Sequence, residues 1–238
     1  VRFVLWRSKN LATTLYPIGA LTKGSEGTDL AELFDMKNAG AIAFGDYKKA
    51  LQNANLQKIA LQYVQDFDGM VIAFCQDSTL KGIGIANEGV ISTKLGMKGI
   101  PALAEELQVA RNLFLLEYTG GKLHIPTIST QGSIKLIKEA KAKGLQVTCS
   151  VAVHNLAKDG TIGLESAFGA LLTILPLEVI VNKLTANKLV FNIENPSITN
   201  GSKADISLFT TEENWTFGKE NILSKSKNSD FLGQKMKV

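Results

Sequence analysis

The chain of 238 residues has 45% hydrophobic and 20% charged side chains, which is typical of one globular domain with at most a small appendage. It contains no run of about 18 apolar residues, which excludes a membrane-spanning helix. The net charge of +4 comes from lysines spread along the chain rather than from a dense basic patch with interleaved aromatic residues. We therefore expect neither nucleic acid nor a membrane as a partner.

The N-terminus and the cysteines indicate the compartment. The first seven residues begin abruptly, as if inside a helix, and lack the apolar core of a signal peptide. Cys75 and Cys149 lie in apolar, strand-like runs, which favours buried free thiols over a disulfide. We therefore expect a cytoplasmic protein.

The first third of the chain alternates predicted strands with predicted helices. The strands are expected over residues 14–18, 41–44 and 70–75. Thr28 is expected to cap a short helix after the first strand, and Asn53 to cap a longer helix before the third. The inward-facing residues are predicted to be Leu30, Leu33 and Phe34 in the short helix, and Leu56, Ile59, Ala60, Tyr63, Val64 and Phe67 in the longer one.

The middle of the chain repeats this alternation. A long glycine-rich loop is expected over residues 76–100, followed by a helix that Pro101 begins and Gly120 closes. A buried strand over residues 121–128 then leads into Ser129-Thr130, which can cap the next helix. Gly144 lies just past that helix, and a strand over residues 145–151 follows. The short connections predict parallel strands joined by a right-handed crossover.

The number of strand–helix units suggests an incomplete barrel. About five such units fit in roughly 150 residues, whereas a parallel barrel has eight units in ~250 residues. From residue 187 onward, short alternating runs with Asn, Gly and Ser turns predict a small β module instead. We therefore expect a barrel domain over residues 1–186 and a β module over residues 187–238.

Many segments fit one family pattern in order. They are residues 17–24, 39–46, 87–89, 99–101, 104–105, Arg111, 124–130, 140–144, 147–148, 163–165, Gly201, 204–205 and 224–228. With these segments the chain resembles the dihydroorotases, in the cyclic amidohydrolase branch of the metal-dependent hydrolases. The resemblance implies an α/β fold with a TIM-type (β/α)8 barrel, incomplete here, and the C-terminal part of a flanking β-sandwich. Segments of the natural chain are expected to be missing before residue 1 and near residues 157–160.

The resemblance also implies a chemistry. The family interconverts carbamoyl aspartate and dihydroorotate in pyrimidine synthesis, with zinc held by histidines and carboxylates at the strand ends. Hydrolysis of an unactivated amide at neutral pH requires such a metal-activated water or an equivalent nucleophile. The implied partners are aspartate carbamoyltransferase or an active dihydroorotase, and we also expect a homo-oligomer.

The residues at the family's ligand positions do not suit zinc. Aligned without gaps, three of these positions hold Tyr47, Phe74 and Thr127. Phenylalanine cannot coordinate a metal, and the other two side chains are poor zinc ligands at neutral pH. The family's first His-x-His pair and its catalytic Asp-His segment have no counterpart. We therefore predict no catalytic residue and no metal or cofactor in this chain.

The remaining candidates have structural alternatives. His154 ends the last predicted strand and could touch a ligand, although a lone loop histidine is more often simply exposed. His124 is expected to pack between strand and helix, on the opposite face from Thr127. Asp46 could replace the lost carboxylate if the local register slips, but a surface or loop ion pair with Lys48 or Lys49 is the simpler interpretation.

Other residue groups are assigned structural roles. Gln76 and Asp77 are expected to satisfy backbone groups in a loop, and Glu165 to favour the dipole of its helix. The spacing of Cys75, Cys149 and the two histidines does not match a zinc motif. The glycines at 82, 84 and 89 match neither phosphate-binding pattern, and nothing places a base beside a nucleophile.

Two hypotheses follow from the sequence. The first is a degenerate dihydroorotase homologue that has kept the barrel, has lost the metal centre and serves a structural or regulatory role. The second is an active zinc-dependent dihydroorotase whose ligands lie in segments outside this sequence.

Overall fold

The computed structural model describes residues 1–11, 13–157, 164–194, 197–202, 204, 206–225 and 229–237, except for the side chains of residues 154, 157, 164 and 187. The α-helices are α1 Arg2–Ser8, α2 Leu33–Asn38, α3 Ala54–Tyr63, α4 Ser78–Lys81, α5 Val90–Lys94, α6 Leu103–Thr119, α7 Gln131–Ala142, α8 Val153–Ala157, α9 Leu164–Leu172, α10 Leu177–Thr185 and α11 Asn187–Val190. The strands are β1 Ile18–Gly19, β2 Ala43–Gly45, β3 Val71–Ile72, β4 Ala86–Asn87, β5 Gly99–Ile100, β6 Leu123–Ile125, β7 Val147–Cys149, β8 Asn214–Thr216 and β9 Lys235–Lys237. None of the helices in these ranges combines the length and the apolar character needed to cross a bilayer.

The chain divides into two compact units, residues 1–150 and residues 151–238. The division reflects packing density along the chain. The domain boundary expected after residue 186 stays a prediction.

A parallel sheet organises the first unit. Its strand order is β1-β2-β3-β6-β7, and every neighbouring pair in it is parallel. The strands β4 and β5 pair with each other, also in parallel, outside this sheet. Because all five strands run the same way, their carboxyl ends lie along one edge of the sheet.

Three helices cover one face of this sheet. α6 packs against both α3 and α7, and all three helices contribute side chains to one hydrophobic core. The largest members of that core include Leu33, Phe44, Leu61, Leu116, Leu123 and Ile125. Strand residues covered by helices in this way must be apolar, as these are.

The caps of these helices follow the sequence expectations. The Asn53 side chain accepts a hydrogen bond from the Leu56 amide, and the Thr130 side chain accepts one from the Ser133 amide. Gly120 closes α6 in the left-handed conformation, and Gly144 beyond α7 also has a positive φ. The caps therefore fix both ends of the strand–helix–strand unit around β6.

Some element predictions were wrong in detail. The first strand is β1, which begins at Ile18 rather than at residue 14. Thr28 caps no helix, because α2 begins at Leu33 and the backbone of Leu30 bridges to Thr22 instead. Phe34, Ile59 and Tyr63 were predicted to face inward but are exposed. The segment predicted as a loop contains α4, β4, α5 and β5. The apolar residues of each segment indicate roughly where an element lies. Its first and last residues depend on hydrogen bonds to distant parts of the chain, which the local pattern does not show.

Asp46 holds the loop that follows β1. Its carboxylate accepts hydrogen bonds from the amides of Leu21 at 3.0 Å and Thr22 at 3.1 Å, and from the Thr22 hydroxyl. The side chain is buried, so the predicted surface ion pair with Lys48 or Lys49 was wrong. A buried carboxylate with three donors is an anchor between β1 and β2 rather than a group free for chemistry.

The second unit has its own small core. The helix α9 contributes Ala170, which packs with residues around the antiparallel pair β8–β9, namely Phe217, Ile222, Phe231 and Met236. Glu165 accepts hydrogen bonds from the Ser224 hydroxyl and from the amides of Leu223 and Ser224. These bonds, the Ser224 hydroxyl first, lower the pKa of Glu165 to about 2. Glu165 is thus structural, as expected, but it acts by holding a distant loop.

Replacing Asp46 tests the anchor. We expect Asp46→Ala to lower the free energy of unfolding by roughly 2–4 kcal/mol, because two buried amides and a hydroxyl lose a charged acceptor. Urea unfolding followed by circular dichroism measures this value. Asp29→Ala, an exposed aspartate of the same loop, is the matched control and should change it by less than about 0.5 kcal/mol. Equal effects of the two substitutions would contradict the anchor.

Candidate functional site

The three residues aligned with family metal ligands follow three neighbouring strands. Tyr47 comes after β2, Phe74 after β3 and Thr127 after β6, and these strands are adjacent in the sheet. Tyr47 is 82% exposed, Phe74 is half-buried and Thr127 is exposed. The fold thus brings the three positions to the same edge of the sheet, as the barrel interpretation requires.

The backbone at this edge carries strain. Thr127 has a φ of 52°, a left-handed conformation that is rare for a β-branched residue. The Thr127 amide donates to the Ser150 hydroxyl at 3.3 Å, and the next amide, of Ile128, donates to the Ser150 carbonyl at 3.0 Å. The turn after β6 is therefore tied to the end of β7, and these bonds help to hold the unfavourable φ.

His124 lies on the sheet face opposite to α3, α6 and α7. Its strand neighbours Leu123 and Ile125 belong to the core under the helices, so alternation directs His124 to the other face. Its ring Nδ1 is 2.8 Å from the Thr148 hydroxyl on the adjacent strand, and Nε2 is 3.4 Å from the Ser150 hydroxyl. The prediction of a buried, hydrogen-bonded residue is confirmed, but the predicted position between strand and helix was wrong.

Burial makes this histidine neutral. The loss of solvation lowers the pKa of His124 to about 4. At neutral pH the ring is an uncharged hydrogen-bonding group between two hydroxyl side chains.

A network of polar side chains surrounds Arg111 on α6. The spacing of residues in the sequence did not reveal it. The Arg111 guanidinium donates to the backbone carbonyls of Leu51 at 2.6 Å and Gln52 at 2.9 Å, and also to the side chains of Gln108 and Asn112. Asn112 in turn donates to the Cys75 sulfur at 3.3 Å. The network attaches α6 to the segment after β2. In the sequence, only the match of Arg111 to the family pattern pointed to it.

Burial makes Cys75 unreactive. The loss of solvation raises the pKa of the Cys75 thiol to about 12, although the bond from Asn112 acts in the opposite direction. Both cysteines are free thiols, as predicted, but only Cys75 is fully buried, whereas Cys149 is partly exposed.

Glu105 also has a role that the spacing of residues in the sequence did not reveal. Its carboxylate accepts hydrogen bonds from the Ser129 amide at 3.0 Å, the Ser129 hydroxyl at 2.6 Å and the Thr130 amide at 3.2 Å. The first turn of α6 is thereby attached to the start of α7. Asp77, in the expected role, accepts from the amides of Thr79 and Leu80 at the start of α4.

The side chains at the strand-end edge do not fit zinc. A catalytic zinc needs about three His, Cys, Asp or Glu ligands and an open position. In the described part of the chain, no three such residues lie close enough together to hold a metal ion. Asp46, the nearest carboxylate in sequence to Tyr47, is already committed to Leu21 and Thr22. The backbone of His154 lies in α8, and its side chain falls outside the described residues.

Comparison with known proteins decides the family. The profile of the family described as "Dihydro-orotase-like" matches residues 6–133. A protein named dihydroorotase from Pelotomaculum thermopropionicum is 35% identical over 293 aligned positions, which cover 95% of this chain and 68% of that protein. The chain belongs to the dihydroorotase-like family. Another relative of the same name, from Geotalea daltonii, is 32% identical over 93% of this chain and 68% of its own length.

A solved structure confirms the fold of this family member. The L-hydantoinase (dihydropyrimidinase) from Arthrobacter aurescens matches 100% of the chain and 71% of its own length, with a TM-score of 0.76 and 15% sequence identity. The fold is therefore an incomplete (β/α) barrel, as predicted. The β module is represented by the pair β8–β9, and the full β-sandwich stays a prediction.

The titration of His124 should be visible in the stability of the protein. Its pKa is about 4 in the folded chain and near 6.5 in the unfolded chain, so the unfolded chain binds more protons between these values. The contribution of neutral His124 to the free energy of unfolding should be fully present above pH 6.5. It should fall by about 3 kcal/mol as the pH is lowered to 4. Urea unfolding at a series of pH values measures this slope.

A variant pair isolates the imidazole. His124→Asn keeps a hydrogen-bonding group beside Thr148 and should flatten the slope between pH 6.5 and 4.5. Thr148→Val removes the hydroxyl but should retain the slope. An unchanged slope in His124→Asn would show that another group titrates.

The two thiols should differ in reactivity. At pH 8 a thiol with a pKa near 12 is deprotonated in only about one molecule in 10⁴, so Cys75 should not react in the native protein. We expect an aromatic disulfide reagent to label one thiol in the native chain and two in urea. Cys149→Ser should abolish the native reaction and Cys75→Ser should preserve it; the reverse result would contradict the assignment.

Proposed function

We propose that this chain is a dihydroorotase-family protein of pyrimidine biosynthesis whose barrel has lost the metal centre and which serves a structural or regulatory role. The observation that carries the proposal is the set of side chains at the strand-end edge. Tyr47, Phe74 and Thr127 stand at ligand positions, and the described residues offer no other group that could hold a metal. Without a metal-activated water, amide hydrolysis at neutral pH has no nucleophile here.

The hydrogen bonds around the edge also support this proposal. Asp46 and Glu105 are saturated with backbone and hydroxyl donors, and His124 is neutral and lies between two hydroxyls. Each of these groups stabilises the barrel. A protein selected for its scaffold would keep such anchors after the ligands had changed.

The proposed role includes partners and a compartment. A barrel without its metal could act within a complex, and we propose aspartate carbamoyltransferase or an active dihydroorotase as its partner, by analogy with the family alone. The free thiols Cys75 and Cys149 support a reducing compartment such as the cytoplasm.

A second candidate is an active zinc-dependent dihydroorotase with ligands in segments that this sequence lacks. One observation favours it. The alignment with the Geotalea daltonii protein has 287 positions, more than the 238 residues of this chain, so that relative has internal residues without a counterpart here. We propose that these residues belong near positions 157–160, where the family's catalytic segment would fall.

Zinc content and turnover separate the two candidates when they are measured on the protein isolated from its own organism, because the second candidate places its ligands outside this sequence. The first predicts far less than one zinc ion per chain by elemental mass spectrometry and no hydrolysis of dihydroorotate above the uncatalysed rate. The Pelotomaculum thermopropionicum dihydroorotase, prepared identically, is the positive control. Stoichiometric zinc with measurable turnover would refute the first candidate and establish the second.

A further inference from the structure

The dipeptide Asn200–Gly201 lies at the tip of an exposed turn. The Ser202 amide donates to the Thr199 carbonyl at 3.1 Å, which closes a four-residue turn with Asn200 and Gly201 at its centre. Gly201 has a φ of 87°, a conformation that favours glycine at this position. All four residues are exposed. Water therefore reaches both central residues, and no side chain follows that of Asn200 at the tip.

The same dipeptide is chemically distinct within the chain. It is the only place in the 238 residues where an asparagine precedes a glycine. Asparagine is a thermally labile residue, because the amide nitrogen of the next residue can attack the carbonyl carbon of its side chain. A side chain on the next residue crowds the ring that this attack forms. Glycine leaves the attack unhindered.

The Gly201 amide is available for this attack. In the part of the chain that the structure describes, no atom accepts a hydrogen bond from it. The turn is held instead by the bond from Ser202 to Thr199 and by the Thr199 hydroxyl, which lies 3.0 Å from the Ser197 hydroxyl and 2.7 Å from that of Ser202. These bonds use neither the Gly201 nitrogen nor the Asn200 side chain. The two reacting groups are therefore not held by the turn.

The dipeptide Asp68–Gly69 provides a contrast. Its glycine amide donates to the Val64 carbonyl at 2.7 Å. The surroundings of this glycine are also tight, since a Cβ atom added to it would lie 2.9 Å from the Val64 Cβ. Attack by the Gly69 nitrogen would require this hydrogen bond to break and the segment after α3 to move. A following glycine is therefore not sufficient, and the bonding of its amide decides whether the attack can occur.

We propose that Asn200 is a site of spontaneous deamidation in the folded protein. The Gly201 nitrogen forms a bond to the Asn200 Cγ atom, the bond from Cγ to the side-chain nitrogen breaks, and the Gly201 amide proton leaves with that nitrogen as ammonia. Water then opens the cyclic imide at either carbonyl and gives aspartate or isoaspartate at position 200. Each product replaces a neutral amide with a carboxylate and lowers the formal net charge of +4 by one.

Incubation of the folded chain at mildly alkaline pH, followed by peptide mapping with mass spectrometry, tests the proposal. We expect the peptide that contains Asn200 to become a mixture of the aspartate and isoaspartate forms. Asn10, an exposed asparagine followed by Leu11, is the internal control. It should react at least about tenfold more slowly, which corresponds to a barrier higher by about 1.4 kcal/mol. Asn200→Gln should abolish the reaction at this position.

Asp68→Asn tests the role of the glycine amide, because it places a second asparagine–glycine dipeptide in the same chain. In the folded variant, position 200 should react and position 68 should react at least about tenfold more slowly. In urea, where both glycine amides are free, the two positions should react at similar rates.

Two results would overturn the proposal. One is an Asn200 that stays intact while the chain remains folded, as followed by circular dichroism. The other is equal reaction at positions 68 and 200 in the folded variant. Neither result depends on zinc content or turnover, so the outcome is independent of the proposed function.

Discussion

The register of the parallel strands is the constraint on which the rest of the structure depends. Ile72, His124 and Thr148 stand side by side on β3, β6 and β7. Residues that end these strands therefore meet at one edge, whatever their chemistry. In a metal-dependent enzyme of this fold that edge supplies the metal ligands, and one unsuitable side chain cannot shift along a strand to be replaced by its neighbour.

On the proposed function, stability and chemistry are separated in this chain. The anchors that hold the strand ends are intact: Asp46 binds the loop after β1, Arg111 binds the segment after β2, and Glu105 binds the start of α7. These bonds join neighbouring units of the barrel. A barrel that retains these hydrogen bonds can fold without a metal. The fold can therefore survive the loss of the metal ligands. This separation is what a structural or regulatory role would require.

The sequence predicted the fold better than it predicted individual contacts. Helix caps depend on residues close in the chain, so Asn53, Thr130 and Gly120 revealed their roles directly. The roles of Asp46 and His124 depend on partners 24 to 26 residues away, and no local pattern places those partners. The same limit applies to β1, whose two residues are defined by pairing with β2 rather than by their own propensity.

On the proposed function, the strand-end edge holds no metal ion. Crystals grown with zinc, with diffraction data collected on both sides of the zinc absorption edge, test it most directly. We expect no anomalous peak near Tyr47, Phe74 and Thr127. A strong peak there, with protein nitrogen, oxygen or sulfur atoms at about 2.0–2.3 Å, would contradict it.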